Sequence, residues 1–347
     1  MSKFKKLVRA SLGLAMALSL LSCEQSALEF FIYLAESDGE EATILSELSY
    51  EVVNSSSSGG YVKQFPHRIQ YGNSNDIYIM RSDGLMVYNA ETKRVEPVSI
   101  SDSFSYSDAN LLQCTDDPDF QYFYAKDKLY SIQAHNYSLI QSGIKACVGL
   151  PYSSKLSLLL TDALTLQVFD GGLGSIAEYT LPRTATRAFY FEETERIVYI
   201  KFNSNHIYSC LADGSQDSLI FTIGGSLSSY RALYPIDDAG KFITASRIDG
   251  EDQIVLIDAV SGDQQILGKA FYPSEPNQNW MPLQISLSRD RKKLLHYDSA
   301  AIHILDLVSM QTSDIVLENV SNIKSACLNA DGSTFSMIAN SVIAHKD

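Results

Sequence analysis

From about residue 43 onward, short runs of Val, Ile, Leu, Tyr and Phe are separated by clusters of Gly, Asp, Asn and Ser. Some runs alternate apolar and polar residues and others are apolar throughout, the pattern of half-buried and fully buried strands joined by tight turns. Lys241-Phe-Ile-Thr-Ala-Ser-Arg247 is followed by Gln253-Ile-Val-Leu-Ile-Asp258, the polar turn Ser261-Gly-Asp263 and Gln264-Gln-Ile-Leu267. The same plan recurs in Arg196-Ile-Val-Tyr-Ile200, His206-Ile-Tyr-Ser-Cys210 and Ser218-Leu-Ile-Phe-Thr222, and again in Lys293-Leu-Leu-His-Tyr297, Ala301-Ile-His-Ile-Leu-Asp306 and Asp314-Ile-Val-Leu317. No helical period follows the first 22 residues.

The repeat spacing, about 40 to 45 residues, is that of a four-stranded propeller blade, a sheet too small to bury its faces alone. An all-β fold is therefore expected: a seven-bladed β-propeller of four-stranded antiparallel blades. Leu283-Gln-Ile-Ser-Leu287 and Ile323-Lys-Ser-Ala-Cys327 are expected as innermost strands. The last copy supplies Ile323–Cys327, Thr334–Ile338 and Val342–Ala344 and then ends, leaving an unpaired sheet edge. Ile44–Val53 precedes the first copy without an evident partner, so it is expected to close the ring as the outer strand of the last blade. The hairpins Ser288-Arg-Asp-Arg-Lys-Lys-Leu-Leu295 and Asn329-Ala-Asp-Gly-Ser-Thr-Phe335 resemble the inner turn of TolB-like and WD-repeat propellers. That resemblance covers roughly residues 60 to 347 and implies structure only.

The first 22 residues read differently. Lys3, Lys5, Lys6 and Arg9 precede the apolar stretch Leu12 to Leu21, the order of a secretory signal, and the stretch is too short to span a bilayer, which takes about 20 apolar residues. Leu20-Leu21-Ser22-Cys23 resembles the lipobox of bacterial lipoproteins. The resemblance implies diacylglycerol on Cys23, a further acyl chain such as palmitate on its new amino terminus, and a membrane-anchored place in the bacterial cell envelope. At about 0.8 kcal/mol per buried methylene, two or three such chains anchor stably. The alternative is an ordinary cleaved signal with a chance cysteine. The expected division is signal 1–22, lipidated tether 23–42 and propeller 43–347, although Leu28-Glu-Phe-Phe-Ile-Tyr-Leu34 is unusually apolar for a tether.

Charge narrows the partners. Loss of the four cations in the signal takes the formal net charge from −14 to −18, which disfavours nucleic acid and argues against phosphate binding. Cys114, Cys147, Cys210 and Cys327 are scattered among the repeats with no C-x-x-C pair, and buried free thiols are expected. Asp116, Asp117 and Asp119, and Asp249, Glu251 and Asp252, could suggest calcium, but such pairs also punctuate hairpins. His296 and His303 lie on adjacent strands without metal-ligand spacing. Neither a P-loop nor a G-x-S-x-G elbow is present, and no cofactor or metal is expected.

The longest joint between repeats, Lys269 to Pro282, holds the only tryptophan, Trp280, with Phe271 and Tyr272. Long loops with aromatic anchors are common binding elements, and Tyr106, Tyr230 and Arg231 on two further loops would extend such a face. Packing between blades is the competing reading for each. Two functions follow: a non-enzymatic recognition scaffold for a protein or peptide, or an envelope enzyme acting on a carbohydrate or lactone through channel-mouth carboxylates such as Asp116 and Asp237.

Overall fold

The computed structural model describes residues 28–38, 41–52, 66–72, 76–81, 84–89, 94–98, 110–112, 120–133, 136–150, 155–170, 174–225, 233–271, 285–317 and 320–341. All regular structure among them is strand. The first two strands are β1 (Leu28–Asp38) and β2 (Glu41–Val52). Six sheets then arise from consecutive strands. They are β3–β6 (Pro66–Tyr71, Ile77–Arg81, Gly84–Asn89, Arg94–Val98), β7–β10 (Asn110–Leu112, Phe120–Ala125, Lys128–Gln133, Asn136–Ser142) and β11–β14 (Ile144–Leu150, Lys155–Leu160, Thr165–Asp170, Gly174–Thr180). The others are β15–β18 (Ala185–Phe191, Arg196–Lys201, His206–Leu211, Ser218–Thr222), β19–β22 (Tyr234–Pro235, Lys241–Ile248, Glu251–Asp258, Gln264–Lys269) and β23–β26 (Ser286–Leu287, Lys293–Tyr297, Ile302–Asp306, Gln311–Ile315). All pair antiparallel, and the architecture is a β-propeller with four-stranded blades.

A further sheet is composite, in the order β2-β1-β28-β27, where β27 is Val320–Leu328 and β28 is Thr334–Ser341. The expected outer strand is there as β2. The tether expectation is corrected for Leu28–Asp38: this segment pairs with β28 over Phe31↔Ala339 to Glu36↔Thr334. Its apolar run supplies a strand between β2 and β28, so the sheet takes two strands from each end of the chain rather than one and three. Val342–Ala344 lies outside the described residues.

Burial explains why the runs differ in pattern. The second strand β16 is buried along its middle, because a neighbouring sheet covers each face, and Ile197 to Ile200 is apolar without a break. Outer strands such as β14 are mostly exposed or half-exposed and carry Glu178 and Thr180. Apolar clusters join successive sheets. One unites Tyr78, Met80 and Val87 with Phe123 and Tyr130, and another Tyr122 and Leu129 with Leu156 and Leu158. Ile69 and Ile77 pack with Cys327 and Ile338, and Leu295 and Tyr297 with Phe335 and Met337.

Buried hydroxyls tie the same seams. Ser157 Oγ accepts a hydrogen bond from Tyr190 N at 3.1 Å, Ser286 Oγ from Leu328 N at 2.9 Å, and Ser325 Oγ from Ile69 N at 3.0 Å. Tyr124 donates to Lys145 O and Tyr297 to Lys324 O, each across to the next sheet. A buried hydroxyl needs a partner, and these find backbone groups that a neighbouring strand presents in register.

The acidic punctuation is structural. Asp162, Asp258, Asp298 and Asp306 each accept two backbone N–H groups two and three residues ahead, closing the hairpin they begin. The Ser288 hairpin behaves similarly: Ser288 Oγ accepts from Lys293 N and donates to Asp290. Its flank joins the Asn329 hairpin through Arg289 N to Ala330 O, 2.7 Å, and Lys293 Nζ to Gly332 O, 3.0 Å.

Candidate functional site

First strands of the sheets converge on a central cavity of about 100 Å³ that opens to solvent. β3 contributes Arg68 to Tyr71, β11 Cys147 to Gly149, β15 Arg187, β19 Tyr234 and Pro235, β23 Ser286 and Leu287, and β27 Ala326 and Cys327. Leu233, Ile285 and Arg291 complete the wall. These strands run side by side around one space because each opens a repeat, so the repeat itself delivers one stretch of wall from each of six sheets.

The chemistry of this wall is cationic and neutral. Among the described residues Arg68, Arg187 and Arg291 line it and no carboxylate does. Arg68 and Arg187 take part in no ion pair among the described residues. Burial pushes the Cys327 thiol up to about 12, so it stays protonated and is no nucleophile at neutral pH. Burial likewise raises the Tyr71 phenol, whose hydroxyl is engaged by Ser336. Arginine does not titrate near neutrality. Such a wall can hold and orient an anion.

Carboxylates named from the sequence sit elsewhere. Asp237 Oδ1 accepts from Lys241 N at 2.8 Å, holding the turn before β20, and is not part of the cavity wall. Asp249, Glu251 and Asp252 belong to the β20–β21 hairpin, where Glu251 accepts from Gln253. No group of three or more metal-ligating side chains occurs among the described residues. Asp116, Asp117 and Asp119 lie outside them, as do Cys23, Cys114, Tyr106, Tyr230, Arg231, Tyr272 and Trp280. Cys147, Cys210 and Cys327 are buried, on three different sheets.

Phe271 is half-buried, and its ring stacks on His303 with centroids 3.7 Å apart and planes 12° from parallel. His303 Nδ1 lies 2.7 Å from Asp314 Oδ1, and Nε2 lies 3.6 Å from Asp298 Oδ2. His296, also buried, approaches Phe271 N through Nδ1 at 3.4 Å. The start of the long loop is thereby fastened to the sheet β23–β26.

Sequence reasoning passed over the three arginines. Arg68 and Arg187 stand in first strands and Arg291 in the hairpin after one, but Lys145 and Lys324 also stand in first strands, so a cation there was no distinguishing signal.

The sequence matches no protein-family model and no curated protein. Solved structures do resemble it. A chain of Kuenenia stuttgartiensis hydrazine synthase aligns at TM-score 0.53 and 11% identity, covering 80% of this chain and 96% of that one. A chain of the Mitotic Checkpoint Complex aligns at TM-score 0.51 and 12% identity, covering 79% and 86%. At these identities the likeness is one of fold alone.

Proposed function

We propose that this chain is a bacterial envelope lipoprotein, anchored through acyl chains on Cys23, whose seven blades close into a ring that serves as a non-enzymatic recognition scaffold for a protein or peptide. The cavity wall carries the reading. It offers permanent cations and neutral hydroxyl and thiol groups, whereas carbohydrate cleavage would use two carboxylates about 5 to 10 Å apart. Ring closure is supported by the composite sheet, in which strands from both ends of the chain pair, and by apolar clusters that join each sheet to the next. The fold neighbour from the Mitotic Checkpoint Complex is in keeping with a role in assembly.

The aromatic loop face around Trp280, with Tyr272, Tyr106, Tyr230 and Arg231, is the partner surface in this reading. Crosslinking in intact cells, followed by mass spectrometry, compares wild type with Trp280→Ala. Loss of specific neighbours is expected in the variant; an unchanged set overturns the assignment of that face. Cys23→Ser is expected to move the protein from the membrane fraction to the soluble one, and retention in membranes overturns the lipid anchor.

A further inference from the structure

We infer that the central cavity is a binding site for a small oxyanion, held through carboxylate or phosphate groups by Arg68, Arg187 and Arg291. The inference concerns the cavity rather than the loop face and stands apart from the partner proposed above.

Three guanidinium groups line one space from three different sheets, and no carboxylate is among the described residues of its wall. Arg68 and Arg187 form no ion pair among the described residues, even though acidic side chains outnumber basic ones by 41 to 27 in the whole chain. In a protein so rich in carboxylates, arginines placed for stability alone would find acidic partners, as Arg183 does with Asp217 at 2.8 Å. Gathering like charges in a concave site carries a repulsive cost, which an anion entering between them removes.

The overall negative charge does not oppose this. Salt screens surface charge over about 8 to 10 Å, and a cavity with low-dielectric walls focuses the field of the groups that line it. A planar guanidinium presents paired N–H donors that match the two oxygens of a carboxylate or phosphate. Between the arginines the wall is mixed, with Gln70, Tyr71 and Ser286 beside Ile69, Val148 and Leu287, so neutral hydrogen-bonding groups flank the cations.

The test uses the purified full-length chain in detergent and isothermal titration with two probes, citrate for carboxylate chemistry and inorganic pyrophosphate for phosphate chemistry, in low salt with chloride as the reference. Saturable binding of either probe is expected, and which one binds more tightly assigns the group. Arg187→Gln and Arg68→Gln are each expected to weaken that binding about 10- to 100-fold, the effect of one lost charge-assisted contact. Arg187→Lys, which keeps the charge and loses the fork, should fall between. Arg183→Gln, outside the cavity, should bind as wild type. Thermal unfolding of each variant shows whether it is folded, and if Arg68→Gln is not, Arg187→Gln alone decides. Absence of saturable binding by both probes overturns the inference, as does equal affinity in wild type and Arg187→Gln. Neither result bears on the Trp280 crosslinking experiment, so the two proposals fail separately.

Discussion

The hydroxyl of Tyr71 lies 2.7 Å from Oγ of Ser336, a residue 265 positions further along the chain. Tyr71 sits at the end of β3 and Ser336 on β28, so one hydrogen bond joins the sheet β3–β6 to the composite sheet. Ser336 is fully buried and Tyr71 nearly so. Two residues earlier, Ile69 N donates to Ser325 Oγ on β27, a second tie across the same seam.

Replacing Tyr71 by Phe keeps the ring and leaves the Ser336 hydroxyl without this partner. A cost of about 1 to 3 kcal/mol is expected, the range for a buried polar group left unsatisfied. Urea unfolding of Tyr71→Phe, Ser336→Ala and the double variant measures it. The double variant should lose less than the two single losses combined; strict additivity would remove the coupling.

Deleting residues 28–38 removes β1 and separates β2 from the rest of its sheet. The long strand β28 would then present an open edge, which favours aggregation. Size-exclusion chromatography of the deletion is expected to show aggregated material, whereas a tether could be removed without consequence. A monomeric deletion with wild-type stability would return this segment to the tether reading.

Gly224 stands where the chain leaves β18 and meets β20. Its N–H donates to Ser246 Oγ at 2.8 Å, and a Cβ at this position would stand 2.1 Å from Arg247 O. The obstacle is backbone, so it cannot swing aside. Gly224→Ala is expected to destabilise by about 1 to 3 kcal/mol, the usual effect of overpacking, read as a lowered urea midpoint with an unchanged slope. An unchanged midpoint would mean that the two segments separate without loss.

His296 is held neutral. Burial, and then the adjacent His303, push its pKa from 6.5 down to about 3, against weaker opposing effects of Asp314 and Asp298. Between those values the unfolded chain binds a proton that the folded chain does not, so this stability is present in full above about pH 6.5 and is lost as pH falls towards 3. The contribution to the slope is at most about 1.4 kcal/mol per pH unit. Unfolding of wild type and His296→Gln at pH 7.5, 6 and 5 should show a flatter dependence in the variant. Parallel profiles would place the acid sensitivity on other groups.

The strands were readable in the sequence because their burial is written in composition. A strand covered on both faces, such as Arg196–Lys201, is apolar without a break along its middle, and the aspartates that begin hairpins bind the next backbone N–H groups locally. Leu28–Asp38 was misjudged as tether because pairing with β28 is a contact across 300 residues of chain, and no local signal distinguishes a greasy linker from a strand whose partner is distant. Phe271 was readable as an aromatic at the start of a long loop, but its ring meets His303 only because β25 lies beneath it.

By itself, then, the sequence determined the repeat, the antiparallel four-stranded unit and the turns, all of which depend on residues within about 45 positions of one another. Tertiary structure alone decided that Leu28–Asp38 enters the composite sheet between β2 and β28, and what lines the cavity. Arg68, Arg187 and Arg291 are more than a hundred residues apart in sequence, and each looks like an ordinary surface cation until the first strands are set side by side. A local pattern encodes which face of a strand is buried; which distant strands share the central space follows only from how the sheets pack.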